Sequence, residues 1–343
     1  MDSRISVQLS SELPGICDFH VHVGETIGGY TLADSFSSLS ALAQKVGISA
    51  IGAFVTEDTH SSLYDKFRRM QDDAGQHFTG HVHWHLTPTA TTVKDLIPLL
   101  DDGVDLKFYT TYKPAGIYRS YLEIEHWMQD LSDLKPRMLI HCENNDTIEK
   151  FSAHHHFHSP ADHCLRRPEI AENIAVERVL ELAVKHSYPV HIVHVSSATS
   201  ALLIREAKAA CDLITCETAP HYLIHTEDIL KAKHGHRYLC SPPYRSAQTR
   251  GMMVELLQDG YFDIIASDHC PFTIADKDRY ADTPEQVPCG IPGVGTLFKA
   301  MHDHFVTSGK ITLDELFALT VHNPAKLMNF SPKPLFTIEQ MLG

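Results

Sequence analysis

Eight short runs rich in β-branched and aromatic residues recur along the chain with stretches of helical spacing between them, and this alternation narrows the fold more than any other feature. The runs are ICDFHVH (16–22), ISAIGAFV (48–55), HFTGHVHWHL (77–86), VDLKFYT (104–110), RMLIHCE (137–143), PVHIVHV (189–195), DLITCE (212–217) and FDIIASD (262–268). Between them LADSFSSLSALAQKV, TTVKDLIPLLDD, EIAENIAVERVLELAVKH and SATSALLIREAKAA set apolar residues three and four apart, the period of a helix buried on one face. Runs that read as almost continuously apolar belong to parallel strands covered on both faces. Eight strand–helix units predict an α/β fold of the (β/α)8 TIM barrel type, with an open doubly wound sheet as the competing arrangement. The 343 residues hold no internal repeat, low-complexity tract or long linker, so 1–343 reads as a single domain with a long loop at 270–290.

A barrel makes a demand on the sequence, because its reactive side chains come from the C-terminal ends of several strands. His20 and His22 close the first run, and their spacing of two puts both on one strand face. Lys107 lies within the fourth run, His141 ends the fifth, His194 the sixth and Asp268 the eighth. Any one of these alone is more often a core histidine or a structural ion pair; together, at matching strand ends, they make a coincidence of such roles improbable. Other histidines compete. His81, His83 and His85 alternate on HVHWH and could form a separate metal triad, but the favoured expectation is that His85 alone nears the pocket while the others meet polar neighbours or lie low in the barrel. The run HHHFH at 154–158 is expected in a solvated or pocket-lid loop, and His221 in APHYL is expected to be structural support.

Charge limits the partners. Twenty-nine Lys and Arg against 43 Asp and Glu give a formal charge of −14, which argues against nucleic acid and anionic membranes and for a small-molecule partner. No run approaches the roughly 20 apolar residues that span a bilayer. The opening MDSRISVQLSSELPGI has no apolar leader core, so a soluble, cytoplasmic protein is expected. Eight cysteines without a CxxC pair read as reduced thiols rather than a disulfide frame or a cysteine zinc site.

The ordered set DFHVH, DLKFYTTY, LIHCEN, IVHVSS, ETAPHYL, SPPYR, SDHCPF and GIPGVGT, from about residue 14 to residue 328, resembles the cyclic amidohydrolases: dihydropyrimidinase, hydantoinase, allantoinase and dihydroorotase. The resemblance implies two divalent metal ions, usually zinc. His20, His22 and Asp268 would hold the first, His141 and His194 the second, and Lys107, carboxylated by CO2, would bridge them. Two metals sharing a water lower its pKa enough to give hydroxide near neutral pH and polarise the ring carbonyl that it attacks. Asp268 would carry the proton from that water to the leaving ring nitrogen. Tyr112 matches the position whose hydroxyl stabilises the oxyanion in hydantoinase-like members, and Ser241 and Cys289 fall in segments that hold the substrate's amide edge. Cys289 stands where PNG-type motifs carry asparagine.

Departures from the family pattern bear on substrate and assembly. In dihydroorotases the first motif continues to an arginine, which grips the substrate carboxylate together with a strand-two asparagine and a late histidine. Here Gly24, Thr56 and Phe272 stand at those places. Without the guanidinium the bidentate pairing is lost, so an uncharged cyclic amide, ureide or imide is expected. Dihydroorotase remains the alternative, because ITCETAPHYL and HNPAKLM resemble it at least as well and Arg119, Arg245 or Arg279 could supply a cation. Seventeen residues before Asp18 and about 15 after NPAKLM are too few for the β-sandwich that flanks most hydantoinase barrels, and the tail FSPKPLFTIEQMLG is expected to pack across the barrel bottom. The sandwich often carries oligomer contacts, so a homo-oligomer is left open. A non-catalytic scaffold, which would have lost metal ligands, and hydrolysis of an acyclic amide are the remaining readings.

Overall fold

Eight parallel strands follow one another around the molecule: β1 (Ile16–Val21), β2 (Ile48–Thr56), β3 (His81–Thr87), β4 (Asp105–Tyr109), β5 (Met138–His141), β6 (Val190–Ile192), β7 (Ile214–Thr218) and β8 (Ile264–Ile265). Each pairs with its sequence neighbour, so the order is β8-β7-β6-β5-β4-β3-β2-β1. The seam between the ends is drawn together by a parallel bridge between Val21 and His269, with the His22 amide donating to the His269 carbonyl (2.7 Å) and the His269 amide to that of His20 (3.2 Å). With helices between the strands this is a (β/α)8 TIM barrel. The computed structural model describes residues 12–343, and most of the N-terminal segment read above as lacking a leader lies outside them. No helix among the described residues is long and apolar enough to cross a membrane.

The strands follow the sequence reading because all six positions of β1 and eight of the nine in β2 are buried, as strands covered on both faces must be. Helix Phe36–Val46 starts at a capping box on Ser35 and stops at Gly47, whose φ of 78° suits glycine. The third run differs: helix Leu63–His77 extends to its first residue, and pairing begins only at His81. The 270–290 segment is also more ordered than a plain loop, since it carries helix Ile274–Asp278 and a 3-10 turn at Pro284–Gln286. All eight cysteines are free.

The tail lies at the barrel bottom, as expected. Pro334–Phe336 pairs antiparallel with Leu13–Pro14, the Phe330 ring stacks on His81 at 4.7 Å, and Met341 is buried in the main core. Arg137, just before β5, donates to the Leu327 carbonyl (2.9 Å). The described flanks thus form a two-stranded ribbon.

Gly52 in β2 marks the tightest approach inside the barrel. A Cβ built there would lie 2.3 Å from the Phe19 carbonyl oxygen and 2.5 Å from His85 Nε2. Gly52→Ala is expected to destabilise by about 3 kcal/mol through overpacking against backbone, read as a lower urea midpoint; an unchanged midpoint would contradict this close contact.

Candidate metal centre

At the C-terminal mouth of the barrel a cavity of about 380 Å³ is lined by His20, His22, Lys107, His141, His194 and Asp268, all six residues singled out in the sequence. His20 and His22 sit at the end of β1 on the same face, and Asp268 comes from the segment after β8 across the seam. A ligating atom from each of these three lies within 4.8 Å of the other two, and His20 Nε2 is 3.2 Å from Asp268 Oδ1. The His141 and His194 rings are 4.5 Å apart, and His194 is 5.4 Å from His20. His194, Asp268 and Tyr112 all have left-handed backbones, with φ of 40°, 52° and 69°. Such conformations are uncommon without glycine and persist where the surroundings enforce them, often at functional sites.

Buried carboxylates orient the imidazoles. Glu217 on β7 accepts from His20 Nδ1 and from the His194 amide (3.2 Å), and it also meets His191 Nε2 (3.2 Å). Glu143 accepts from His141 Nε2 at 2.7 Å. These bonds fix which nitrogen is protonated and leave His20 Nε2 and His141 Nδ1 free to bind. Glu143 and Glu217 are both held well below the usual carboxylate range: burial pushes each up, but Arg167 and His141 around the first, and His20 and His191 around the second, more than offset it. Neither glutamate stood out in the sequence, although Glu143 follows His141 by two and Glu217 opens ETAPHYL.

Electrostatically the cavity is prepared for cations it does not supply. Burial lowers His20 to about 3 and His141 to about 4, and pushes His22 and His194 down as well, so all four imidazoles are neutral, the form that binds metal. Lys107 is fully buried, and its Nζ has no hydrogen-bond partner among the described residues; the Phe54 and Tyr109 rings, each 5.1 Å away, are weak compensation. Burial lowers its pKa to about 8 against the pull of Glu217 and Asp268. Asp268 is pushed well above its ordinary value, by burial first and by Glu217 second. His194 Nδ1 is likewise buried without a partner. An unsatisfied ammonium among neutral imidazoles is costly, whereas a carbamate on Lys107 together with divalent ions would satisfy both it and the free nitrogens, so the residues fit a metal pair.

Tyr112, Ser241 and Cys289 line the same cavity. The Tyr112 ring lies 5.2 Å from His141 with the Arg167 guanidinium over it at 4.9 Å, and Ser241 Oγ is 3.2 Å from His163 Nε2. Arg167 and His163 had no sequence signal, because their partners are distant in the chain. The other histidines sort differently. His85 is fully buried but does not line the cavity, which corrects the expectation that it nears the pocket. Strand register sets His85 level with Asp105, two residues below Lys107. There Asp105 Oδ2 takes His83 Nε2 at 2.8 Å and Arg137 Nη1 at 3.1 Å, with His85 Nδ1 at 3.6 Å. His83, His85 and Asp105 are close enough to hold an ion, but Arg137 already neutralises the carboxylate. His154 ends helix Asn145–His154 and the rest of HHHFH follows in the connection, while His221 is buried against Tyr222 at 4.0 Å.

Fold and site together define a (β/α)8 barrel with a histidine-rich centre suited to divalent metal. No protein-family model matches the chain. Dihydroorotases of Halalkalibacterium halodurans and Bacillus cytotoxicus are 28% identical over 317 residues and 29% over 321, each covering 91% of this chain and 72% of the relative. Among solved structures a D-hydantoinase superposes with a TM-score of 0.87 at 26% identity, over 94% of this chain and 73% of that one. The dihydropyrimidinase of Brevibacillus agri gives 0.86 at 25%, over 93% and 72%. These relatives indicate the cyclic amidohydrolase family of the amidohydrolase superfamily.

Proposed function

We propose that this chain hydrolyses the C–N bond of an uncharged cyclic amide, ureide or imide, in the manner of a hydantoinase or dihydropyrimidinase. The observation that carries the choice of ring is the cavity wall: among the described residues that line it, Lys107 is the only lysine or arginine, and Ile27, Tyr30, Ile117 and Phe272 make much of the rest apolar. Gly24 stands where a carboxylate-binding arginine would be, with φ of 66°, a backbone conformation that a side chain rarely adopts. None of the three loop arginines lines the cavity. Arg119 donates to the carbonyls of Pro88 (3.0 Å) and Thr89 (2.7 Å), and Arg245 is buried on Glu172 (2.9 Å). Arg279 is exposed beside Asp276 (3.7 Å).

In this reading His20, His22 and Asp268 would hold one divalent ion, His141 and His194 a second, and Lys107, carboxylated, would serve both; nitrogen and carboxylate donors suit zinc. Metal bound there would supply the acidity that activates water and would polarise the ring carbonyl. Asp268 takes a proton from the attacking water and returns it to the ring nitrogen as the C–N bond breaks. The Tyr112 hydroxyl donates to the carbonyl oxygen as charge develops on it, and Ser241 and Cys289 hold the amide edge.

Dihydroorotase is the second reading, favoured by the dihydroorotase relatives that match 91% of the chain. Ring opening of dihydrouracil, hydantoin and dihydroorotate, followed side by side on protein prepared with zinc and bicarbonate, separates the two. Turnover of the neutral rings with dihydroorotate at least about 100-fold slower is expected, the loss that an unpartnered carboxylate entails. Efficient turnover of dihydroorotate would overturn the neutral-ring reading.

A further inference from the structure

We infer that Arg167 is a positioning residue that ties His141 to Tyr112, so that one guanidinium sets both a metal-ligand imidazole and the phenol that faces the reacting carbonyl. The inference rests on the ring-opening reading for its kinetic consequence only.

Arg167 precedes Pro168 in the segment after β5, and its side chain turns inward until only 12% of it is exposed. Nε lies 3.1 and 3.2 Å from the two carboxylate oxygens of Glu143, and Nη2 donates to Oε2 as well. That same Oε2 accepts from His141 Nε2 at 2.7 Å. Glu143 itself has little freedom: Thr110 Oγ1 donates to its carbonyl (3.0 Å) and accepts from its amide (3.0 Å). The guanidinium carbon meanwhile lies 4.9 Å from the centre of the Tyr112 ring. Tyr112 holds a φ of 69°, unfavourable for a bulky residue, and Arg167 and the His141 ring both pack against it.

The arginine is fixed from behind. Its carbonyl accepts from Arg245 Nη1 at 2.8 Å, and Arg245 is held by Glu172 and Ser196 Oγ, each at 2.9 Å. Arg167 is not among the residues that line the cavity, so it does not read the substrate directly. Its chemistry suits the connecting role. A planar guanidinium binds a carboxylate through two nitrogens and stacks on an aromatic face at once, whereas an ammonium does neither in that geometry.

Arg167→Lys separates these functions from charge. Expected is a fall in kcat of about 30- to 100-fold, the range for partners that orient a metal ligand, with KM within about threefold and zinc content unchanged. In a Tyr112→Phe background the same change is expected to cost less than about fivefold, because most of its effect on kcat passes through the phenol. With cobalt in place of zinc, R167K is expected to shift the visible absorption band through the reoriented His141, and Glu143→Gln, which leaves Arg167 in the chain, to shift it in the same direction. Fully additive kinetic losses, or an unchanged kcat with an unchanged cobalt band in both variants, would overturn the inference. If the wild-type protein opens none of the rings tried while the cobalt band still moves, the ring-opening reading fails and the tie from Arg167 to His141 stands.

Discussion

Replacing Lys107 by methionine is expected to abolish ring opening and, at the same time, to stabilise the metal-free protein. The two effects have one origin. In the metal-free fold the Lys107 ammonium is fully buried with no hydrogen-bond partner and with neutral imidazoles around it, so folding has to strip its water without replacing it. The lowered pKa of about 8, against an ordinary 10.5, puts that cost at about 3 kcal/mol. The sign follows from proton counting. Below pH 8 both folded and unfolded chains carry the proton and the full penalty applies. Between about 8 and 10.5 the folded chain releases it first, so stability rises with pH. Methionine fills a similar volume without charge. Urea melts of chelator-treated protein are therefore expected to show K107M more stable than wild type at pH 7, with the gap closing by pH 10. Activity is expected to move the other way, by about 1,000-fold or more, since under the proposed function the carbamate on Lys107 would be a shared ligand of the ions and methionine cannot form one. K107M less stable than wild type at pH 7 would mean that the ammonium has a partner; activity near wild type would remove Lys107 from the chemistry.

What was legible in the sequence is the layer that periodicity and spacing describe. His20 and His22, two apart at the end of an apolar run, fall on one face, and Lys107, His141, His194 and Asp268 recur at corresponding places because every strand of a parallel barrel delivers its end to the same mouth. Depth was not legible. His85 and Lys107 both point inward, but strand tilt puts His85 level with Asp105, below the site, and no single run encodes that stagger. Partners across the barrel were equally hidden: Glu217 and His20 are 197 positions apart, and Arg167 meets Tyr112 only because helix and loop bring them together. The supporting carboxylates are consequences of closure, which alternation predicts without saying which residues it will join.

Asp268→Asn is expected to lower kcat by about 1,000-fold or more with a folded protein, within or beyond the range of a lost general base. The backbone makes this substitution informative. At φ of 52° Asp268 occupies the left-handed region that asparagine tolerates at least as well as aspartate, whereas alanine there would add strain to the loss of the carboxylate. The amide keeps the shape and an oxygen near His20 Nε2, which lies 3.2 Å from Oδ1 in the native site, but it takes no proton. Metal analysis separates the two contributions of the group. An asparagine variant that retains both ions and loses kcat has lost proton transfer; one that loses an ion and regains activity with excess zinc has lost mainly ligation. Stability is expected to hold or rise, because burial and Glu217 push the Asp268 carboxyl up and make its charge unfavourable in the metal-free fold. The pH profile supplies the last check. A base must be ionised to act, so under the proposed function wild-type kcat/KM is expected to fall on the acid side as Asp268 takes a proton, and the residual activity of the variant to lack that fall. A variant within tenfold of wild type, with the acid limb intact, would place the base elsewhere.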